Sequence, residues 1–347
     1  MNSKQCYVIV TGSNGMVGSA LQRVVTERSF TDLEFEKNYK WVWTTRRELN
    51  MLKYDSVYKF LKQFTETNVT VINLAANVGG LFKNVNQNLE MFDSNVSINL
   101  NLLRACTELG ITKVINILST CIFPNDTNYP LLEEYIHKGE PHISNSGYSY
   151  AKRFGQIYSQ LINESSEYYK YVNFIPTNLY GKCDNYQIED AHVIPAIIHK
   201  CIKKIKSRRE SSAVLKLKLP GNGQPERMFL YDEDFAKIIM DFACNKKLEG
   251  YKGDFIVSGN ESFSIKICEL AQSIAEKVNR ELNDEVLIEF ENEEKGNGQL
   301  KKPCSNSKLM TIYNNEDIQF PVIDNMLDNL DKVIQWFINN YDSYDRK

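Results

Sequence analysis

A tyrosine and a lysine four residues apart, in Tyr148-Ser149-Tyr150-Ala151-Lys152, have the types and spacing for acid–base chemistry. Near a helix start both project from one face. A free phenol titrates at about pH 10 and is a poor proton-transfer group at neutrality unless a close cation stabilises its phenolate. Lys152 can supply that charge. Ser119, at the end of an earlier apolar run, adds a hydroxyl able to hydrogen-bond a carbonyl oxygen.

Chemistry of that kind needs a hydride carrier, and the N-terminus offers a place for one. Thr11-Gly12-Ser13-Asn14-Gly15-Met16-Val17-Gly18 sets three glycines at GxxGxxG directly after an apolar run and at the mouth of a helical pattern. Gly12 permits the tight turn, Gly15 lets backbone approach a pyrophosphate, and Gly18 lets helix pack on strand. The alternative is a structural turn without a ligand. At the end of the second apolar run an acidic residue would bond a ribose 2′-hydroxyl, but this chain has Trp43-Thr44-Thr45-Arg46-Arg47. A guanidinium matches a 2′-phosphate, so Arg46, with Arg47 in reserve, points to NADP(H); two surface arginines are the plainer reading. Leu74, Ala75 and Ala76 close the third run with small residues against which a cofactor can lie.

The elements that must position these groups follow from hydrophobic periodicity. Strands are expected at 6–10, 41–45, 70–75, 113–118 and 171–176, with helices at 15–28, 54–66, 90–110 and 147–166 between them. This alternation predicts an α/β fold, a Rossmann-type doubly wound parallel sheet. Residues 1–176 are expected to form the NADP-binding domain. Residues 177–347 form mainly a smaller C-terminal α/β substrate-binding region, with part of 213–260 returning to the first domain. In that second part, helices are expected at 191–206, 232–245, 264–280 and 324–341 and strands at 213–219, 254–258 and 286–290, with turns at Gly221-Asn222-Gly223 and Gly296-Asn297-Gly298.

Composition narrows the partners. A formal charge of −3 gives no general attraction to nucleic acid or an anionic membrane, and no apolar run approaches a membrane span. The basic run Lys203 to Arg209 reads as a solvated helix end. Eight cysteines and four histidines form no CxxC pair and no zinc-like cluster, so no metal is expected and the thiols read as reduced, in a cytoplasmic protein. His137, His142 and His199 are expected in loops or on a helix surface.

Together these motifs resemble the extended short-chain dehydrogenase/reductases. Ser119-Thr120-Cys121-Ile122-Phe123-Pro124 is similar to a segment of one branch, the GDP-L-fucose synthases, and the resemblance continues through Asn77-Val78-Gly79-Gly80, Pro176-Thr177-Asn178-Leu179-Tyr180-Gly181, Asp184-Asn185, His192-Val193-Ile194-Pro195-Ala196, Arg227-Met228-Phe229-Leu230-Tyr231 and Ser305-Asn306-Ser307-Lys308-Leu309. It runs from about residue 6 to the C-terminus. The resemblance implies an NADPH-dependent 3,5-epimerase and 4-reductase acting on a GDP-4-keto-6-deoxy sugar. It makes Cys121 the base and His192 the acid of the epimerisations, Tyr148 the proton donor of the reduction, Ser119 a ligand of the C4 oxygen and Lys152 a support for the nicotinamide ribose. Thiol and imidazole straddle neutrality, which suits that exchange of protons.

The same resemblance places Pro176, Asn178, Leu179 and His192 by the cofactor, and Val78, Gly79, Asn178, Asn185, Val193, Arg227 and Lys302 by the GDP-sugar. For Arg227 an ion pair with Asp232 or Asp234 is the competing role. It also implies a homodimer, with 90–110 and 147–166 forming a four-helix bundle with their mates. Lys182 and Cys183 stand where a proline is common. The rivals are a GDP-L-colitose synthase, a UDP-sugar 4-epimerase and a non-catalytic NADP-binding sensor of the same fold.

Overall fold

The apolar run that opens the chain forms β1 (Cys6–Thr11), whose side chains alternate between two buried faces. Val8 and Val10 join one core while Ile9 joins another, so both sides of the strand must be covered. The chain, a computed structural model, is described at residues 5–208, 215–259, 264–291, 300–321 and 326–345. The expected turn at Gly296-Asn297-Gly298, residues 209–214 and residues 324–325 lie outside the described residues.

From β1 the chain runs through α1 (Met16–Thr31), α2 (Leu33–Asn38) and β2 (Tyr39–Trp43), then α3 (Tyr54–Leu61) and β3 (Asn68–Asn73). Next come α4 (Leu81–Asn86), α5 (Asn88–Glu108), β4 (Lys113–Ile117), α6 (Ser146–Ser165) and β5 (Lys170–Pro176). The second part holds β6 (Asn178–Tyr180), α7 (Val193–Lys206), β7 (Leu215–Leu219), β8 (Glu226–Arg227), β9 (Phe229–Tyr231), α8 (Asp232–Cys244) and β10 (Gly253–Val257). It ends with β11 (Ile265–Lys266), α9 (Ile267–Leu282), β12 (Val286–Phe290), α10 (Ser307–Asn315) and α11 (Met326–Asp345).

Six strands form one parallel sheet in the order β10-β5-β4-β3-β1-β2. Strand order reverses at β1, between β2 on one side and β3 on the other, and a crevice opens there at the carboxyl ends of the strands. One face packs on α1 and α8 through Ala20, Leu21, Phe235, Ile238, Ile239 and Phe242. The other packs on α3 and α5 through Val57, Leu61, Leu102 and Leu103. The return of the chain to the sheet at β10, beside β5, closes the first body.

A row of polar side chains crosses this sheet in register. Thr11 Oγ1 donates to Asn73 Oδ1 at 2.9 Å, Asn73 Nδ2 to Asn116 Oδ1 at 2.9 Å, Asn116 Nδ2 to Asn173 Oδ1 at 3.3 Å, and Asn173 Nδ2 to Asp254 Oδ1 at 2.8 Å. Each pair is also a backbone register pair of adjacent strands. A strand slipped by one residue would break this buried row, so it fixes the register from which the site hangs.

The second core gathers α7, α9 and α11 over the parallel pair β7 and β12, with Ile194, Ile198, Leu270, Ile274, Val333 and Phe337 buried. His199 belongs to it. Contrary to the expectation of a loop or surface position, His199 is buried against Phe337 and Tyr341, and its Nδ1 bonds the carbonyl of Tyr186 at 2.6 Å. It lies three residues before Ile202 and two before Cys201, on the apolar side of α7. The pair β6 and β9 straddles the two cores, with Leu179 and Leu230 on the first and Tyr180, Phe229 and Tyr231 in the second, while Arg23 on α1 fastens the start of α8 by bridges to Asp232 at 3.0 Å and Glu233 at 2.7 Å.

Candidate active site

At the mouth of the crevice a cavity of about 1320 Å³ runs from the glycine turn to the second core. The turn is built as its spacing requires. Gly12 has φ +66°, and a Cβ there would sit 2.8 Å from the Ala75 nitrogen; at Gly18 it would sit 2.4 Å from the Ser13 carbonyl oxygen. Over Gly15 the nearest atom to such a Cβ is 3.4 Å away, so space stays open above the N-terminus of α1. Gly15 caps α1 with no side-chain bond, leaving first-turn amides free for an anion. Ser13 and Asn14 do not line the cavity: Ser13 is buried with its Oγ donating to the Thr44 carbonyl at 3.0 Å, and Asn14 is exposed. Met16 and Val17 do line it, as do Leu74, Ala75 and Ala76.

Strand β2 stops at Trp43, two residues before the expected end, because Thr44 turns both its N–H and its hydroxyl to the Val10 carbonyl. Arg46 follows and reaches the cavity; Arg47 does not. Glu48 spends its carboxylate on the Thr45 N–H at 2.8 Å, and no described carboxylate pairs with Arg46. An open cradle, an uncapped helix and an unpaired guanidinium fit a dinucleotide carrying an extra phosphate.

Ser119, Tyr148, Lys152, Pro176, Asn178, Leu179 and His192 line the same cavity. Ser119 opens a short helical turn at 120–122 and accepts the Cys121 N–H at 3.4 Å. Cys121 is buried, 8 % exposed, and is not a lining residue; Tyr148, Lys152 and Lys302 all lie within its electrostatic reach. Lys152 Nζ donates to the Ile117 carbonyl at 2.7 Å and lies 5.6 Å from the Tyr148 ring centroid. Burial pushes that ammonium down to about 8, with Cys121 opposing, and burial pushes the Tyr148 phenol up, with Cys121 adding to the rise. The expectation that Lys152 lowers the phenol is thus corrected. Its ammonium is taken by a backbone carbonyl and sits over the ring, and desolvation dominates.

His192 is the exposed N-cap of α7, and Val193 follows it on the wall. Val78, Gly79 and Asn185 also line the cavity, and the Gly80 N–H bonds the Asp190 carbonyl at 3.0 Å, which ties the 77–80 loop to the approach to His192. Arg227 points to the same space, its Nη1 held by the Glu226 carbonyl at 2.8 Å. The competing ion pair is absent: Asp232 pairs with Arg23 and Asp234 with Lys237 at 3.1 Å. Burial lowers both Arg227 and Lys302, and Arg227 depresses Lys302 further. Neither has a carboxylate partner among the described residues. Among the cavity residues that sequence reasoning did not assign to the site are two charged ones, Lys200 and Asp184. Lys200 lies eight residues, just over two helical turns, past His192, a spacing that would have put both on one side of α7.

This fold and site define a nucleotide-binding oxidoreductase or epimerase, and a family model agrees: residues 8–257 match the NAD dependent epimerase/dehydratase family, to which the chain belongs. Within it, the chain is 36% identical to a GDP-L-fucose synthase of Dictyostelium discoideum, covering 97% of this chain and 96% of that one. It is 34% identical to a probable GDP-L-fucose synthase of Drosophila melanogaster, covering 96% and 98%. The crystal structure of a GDP-L-fucose synthetase from Naegleria fowleri bound to NADP superposes with a TM-score of 0.80 at 29% identity, covering 99% and 95%. The chain thus groups with the GDP-L-fucose synthases.

Proposed function

We propose that the protein is an NADPH-dependent 3,5-epimerase and 4-reductase that converts GDP-4-keto-6-deoxy-D-mannose to GDP-L-fucose. The observation that carries this is the grouping of Ser119, Tyr148, Lys152 and His192 around one cavity with Cys121 buried beside it. A C4 ketone acidifies the hydrogens on C3 and C5. The Cys121 thiolate removes each one, leaving an enolate whose negative oxygen accepts from Ser119. His192 returns a proton to the opposite face, and the thiol gives up its proton before the next cycle. Bound NADPH supplies the hydride that reduces C4. Tyr148, kept protonated by burial, donates its proton to the C4 oxygen, and Lys152 holds the ribose of the cofactor. Arg46 takes the 2′-phosphate, while Arg227, Lys302 and Lys200 take the diphosphate of the GDP-sugar.

The decisive assay supplies the keto sugar and NADPH and follows cofactor oxidation together with product stereochemistry. A product inverted at C3 and C5 and reduced at C4 is expected; no NADPH loss, or a product unchanged at C3 and C5, refutes the reading. Cys121→Ser should cripple epimerisation more than hydride transfer.

The dimer belongs to the same proposal. Phe92 on α5 and Tyr150, Ile157 and Leu161 on α6 are exposed, and α5 packs directly on α6. This pair, packed on the same pair of a second copy, would form a four-helix bundle. We assign the chain to the cytoplasm, since a catalytic Cys121 requires a reducing compartment. No helix of the described residues is long and apolar enough to cross a membrane.

A further inference from the structure

The loop after β6 carries a carboxylate that the scheme above leaves without a task. Gly181 packs so tightly on Asp232 that a Cβ there would lie 2.1 Å from the Asp232 Cγ, and Lys182 is pinned to Glu233 at 3.3 Å. Cys183 then takes a left-handed backbone, φ 57°, which turns Asp184 inward. Asp184 is 7 % exposed and lines the cavity. Its Oδ1 accepts the Asn185 N–H at 2.7 Å, while its Oδ2 is buried with no hydrogen-bond partner. A buried carboxylate oxygen left without a donor is costly unless something on the cavity side supplies one.

The titratable groups around it are few. Cys183 and Tyr186 share its loop, Tyr344 approaches from α11, and His192 heads α7. Tyr186 gives its hydroxyl to the Gly181 carbonyl at 3.3 Å, and its ring stacks on Phe337. Of these groups His192 is the one whose positive charge acts on the carboxylate, against a rise to about 6 caused by burial. The Gln187 carbonyl accepts from Asp190 and Ala191, and this folded turn leads the chain from Asp184 to His192, both of which line the cavity.

We propose that Asp184 is the positioning partner of His192: the exposed ring, which makes no hydrogen bond to Asp184 in this structure, turns so that the free oxygen accepts one imidazole N–H, which points the other nitrogen toward the sugar and stabilises the charged ring. The proposal rests on the reading of His192 as the acid of the epimerisation, and it assigns Asp184 no contact with the reacting carbons. In each turn the proton leaves His192 for the substrate carbon and is replaced from solvent, so Asp184 changes how much of the ring is protonated rather than what is transferred.

The test is NMR titration of the full-length protein with ring-labelled histidine, His192 being assigned by loss of its signal in His192→Asn. In Asp184→Asn the His192 midpoint should fall by about one unit, the low end for an opposite charge within a few ångströms because the ring is exposed. An unchanged midpoint overturns the proposal. Should that variant not fold, His192→Asn, an exposed change, gives the reciprocal reading with aspartate carboxyl labels. The Asp184 midpoint must rise by the same amount when the imidazole is removed, and an unmoved carboxyl overturns the proposal equally.

Turnover adds a signature that a merely structural role would not give. In deuterated water, exchange at C3 and C5 by Asp184→Asn should be about tenfold slower than wild type above both midpoints and equal to it well below them. Uniform slowing at every pH counts against the pairing. The NMR readout needs no substrate. If the imidazole responds to Asp184 but the keto sugar is not epimerised, the functional reading fails and the pairing stands; the converse result fails the pairing alone.

Discussion

Replacing Arg46 by alanine separates the two nicotinamide cofactors in a way the cavity lets us estimate. Arg46 reaches the cavity, lacks a carboxylate partner among the described residues and sits just past β2, where a 2′-phosphate of a dinucleotide seated on the glycine turn would lie. Hydrogen bonds to charged groups are worth about 1.5–3 kcal/mol, and because this side chain is solvent-exposed the lower half of that range applies. About 1.5–2 kcal/mol corresponds to roughly a 10- to 30-fold weaker Kd for NADPH. NADH lacks the phosphate, so its Kd should move by less than about twofold. Fluorescence titration of both cofactors against wild type, Arg46→Ala and Arg47→Ala measures this directly. Arg47, off the cavity, serves as the control. Equal losses for NADPH and NADH, or a larger effect from Arg47→Ala, would refute the assignment of the phosphate to Arg46.

Lys152 gives a pH prediction. Its ammonium titrates at about 8 in the fold, so it is charged below that pH and neutral above it. Then kcat/KM for reduction should fall as pH rises through about 8, rather than near the usual lysine value of about 10.5; a profile flat to pH 10 contradicts the assigned role. Asn116→Ala removes the middle of the buried polar row and strands an Asn173 acceptor and one bond of Asn73. It should cost about 2–4 kcal/mol, read as a lowered urea midpoint with NADPH affinity otherwise retained. Ile157→Asp with Leu161→Asp puts two charges on the exposed stripe of α6. Sedimentation should give the mass of two chains for the wild type and of one for this variant, and a wild-type mass of one chain would remove the bundle.

The sheet was legible because strands buried on both faces leave continuous apolar runs, as in Val8-Ile9-Val10, and because α5 and α6 carry long patterns with few breakers. What escaped notice depends on contacts distant in sequence. Asparagine is depleted in strands, so Asn73, Asn116 and Asn173 look like interruptions until the register aligns them. The segment of aromatic and acidic residues before β2 folds into α2, with Asp32 Oδ1 accepting the Phe35 N–H at 3.1 Å and Phe35 buried, a local cap that a reading of long periods passed over. The pair β6 and β9 is too short, three residues each, to leave a periodic trace. His199 was a true misreading, since its place among Ile194, Ile198, Cys201, Ile202 and Ile205 already set it on the buried side of α7. Most expected site residues come together on one cavity, since the motif positions end strands or begin helices at the same edge of the sheet.

Charge explains how a protein of net charge −3 can take two polyanionic ligands. Away from the cavity its cations are often neutralised: Arg23 and Lys182 by Asp232 and Glu233, Lys277 and Arg280 by Asp331, Lys301 by Glu226. Along the cavity the balance reverses. Arg46, Lys83, Lys152, Lys200 and Arg227 line it against only Glu90 and Asp184, and none of those five cations has a carboxylate partner among the described residues. The nearest neighbours of Lys83, Lys152 and Arg227 are instead backbone carbonyls, which orient a cation without cancelling its charge. Burial lowers Lys152 and Arg227 on the cavity and Lys302, which lies off its lining, where Arg227 adds to the fall, so holding these cations charged in a partly dry cleft is costly. An anion arriving there offsets that desolvation and gains from the same low dielectric. Selectivity for phosphorylated ligands therefore comes from where the carboxylates are withheld, a property that the whole-chain charge conceals.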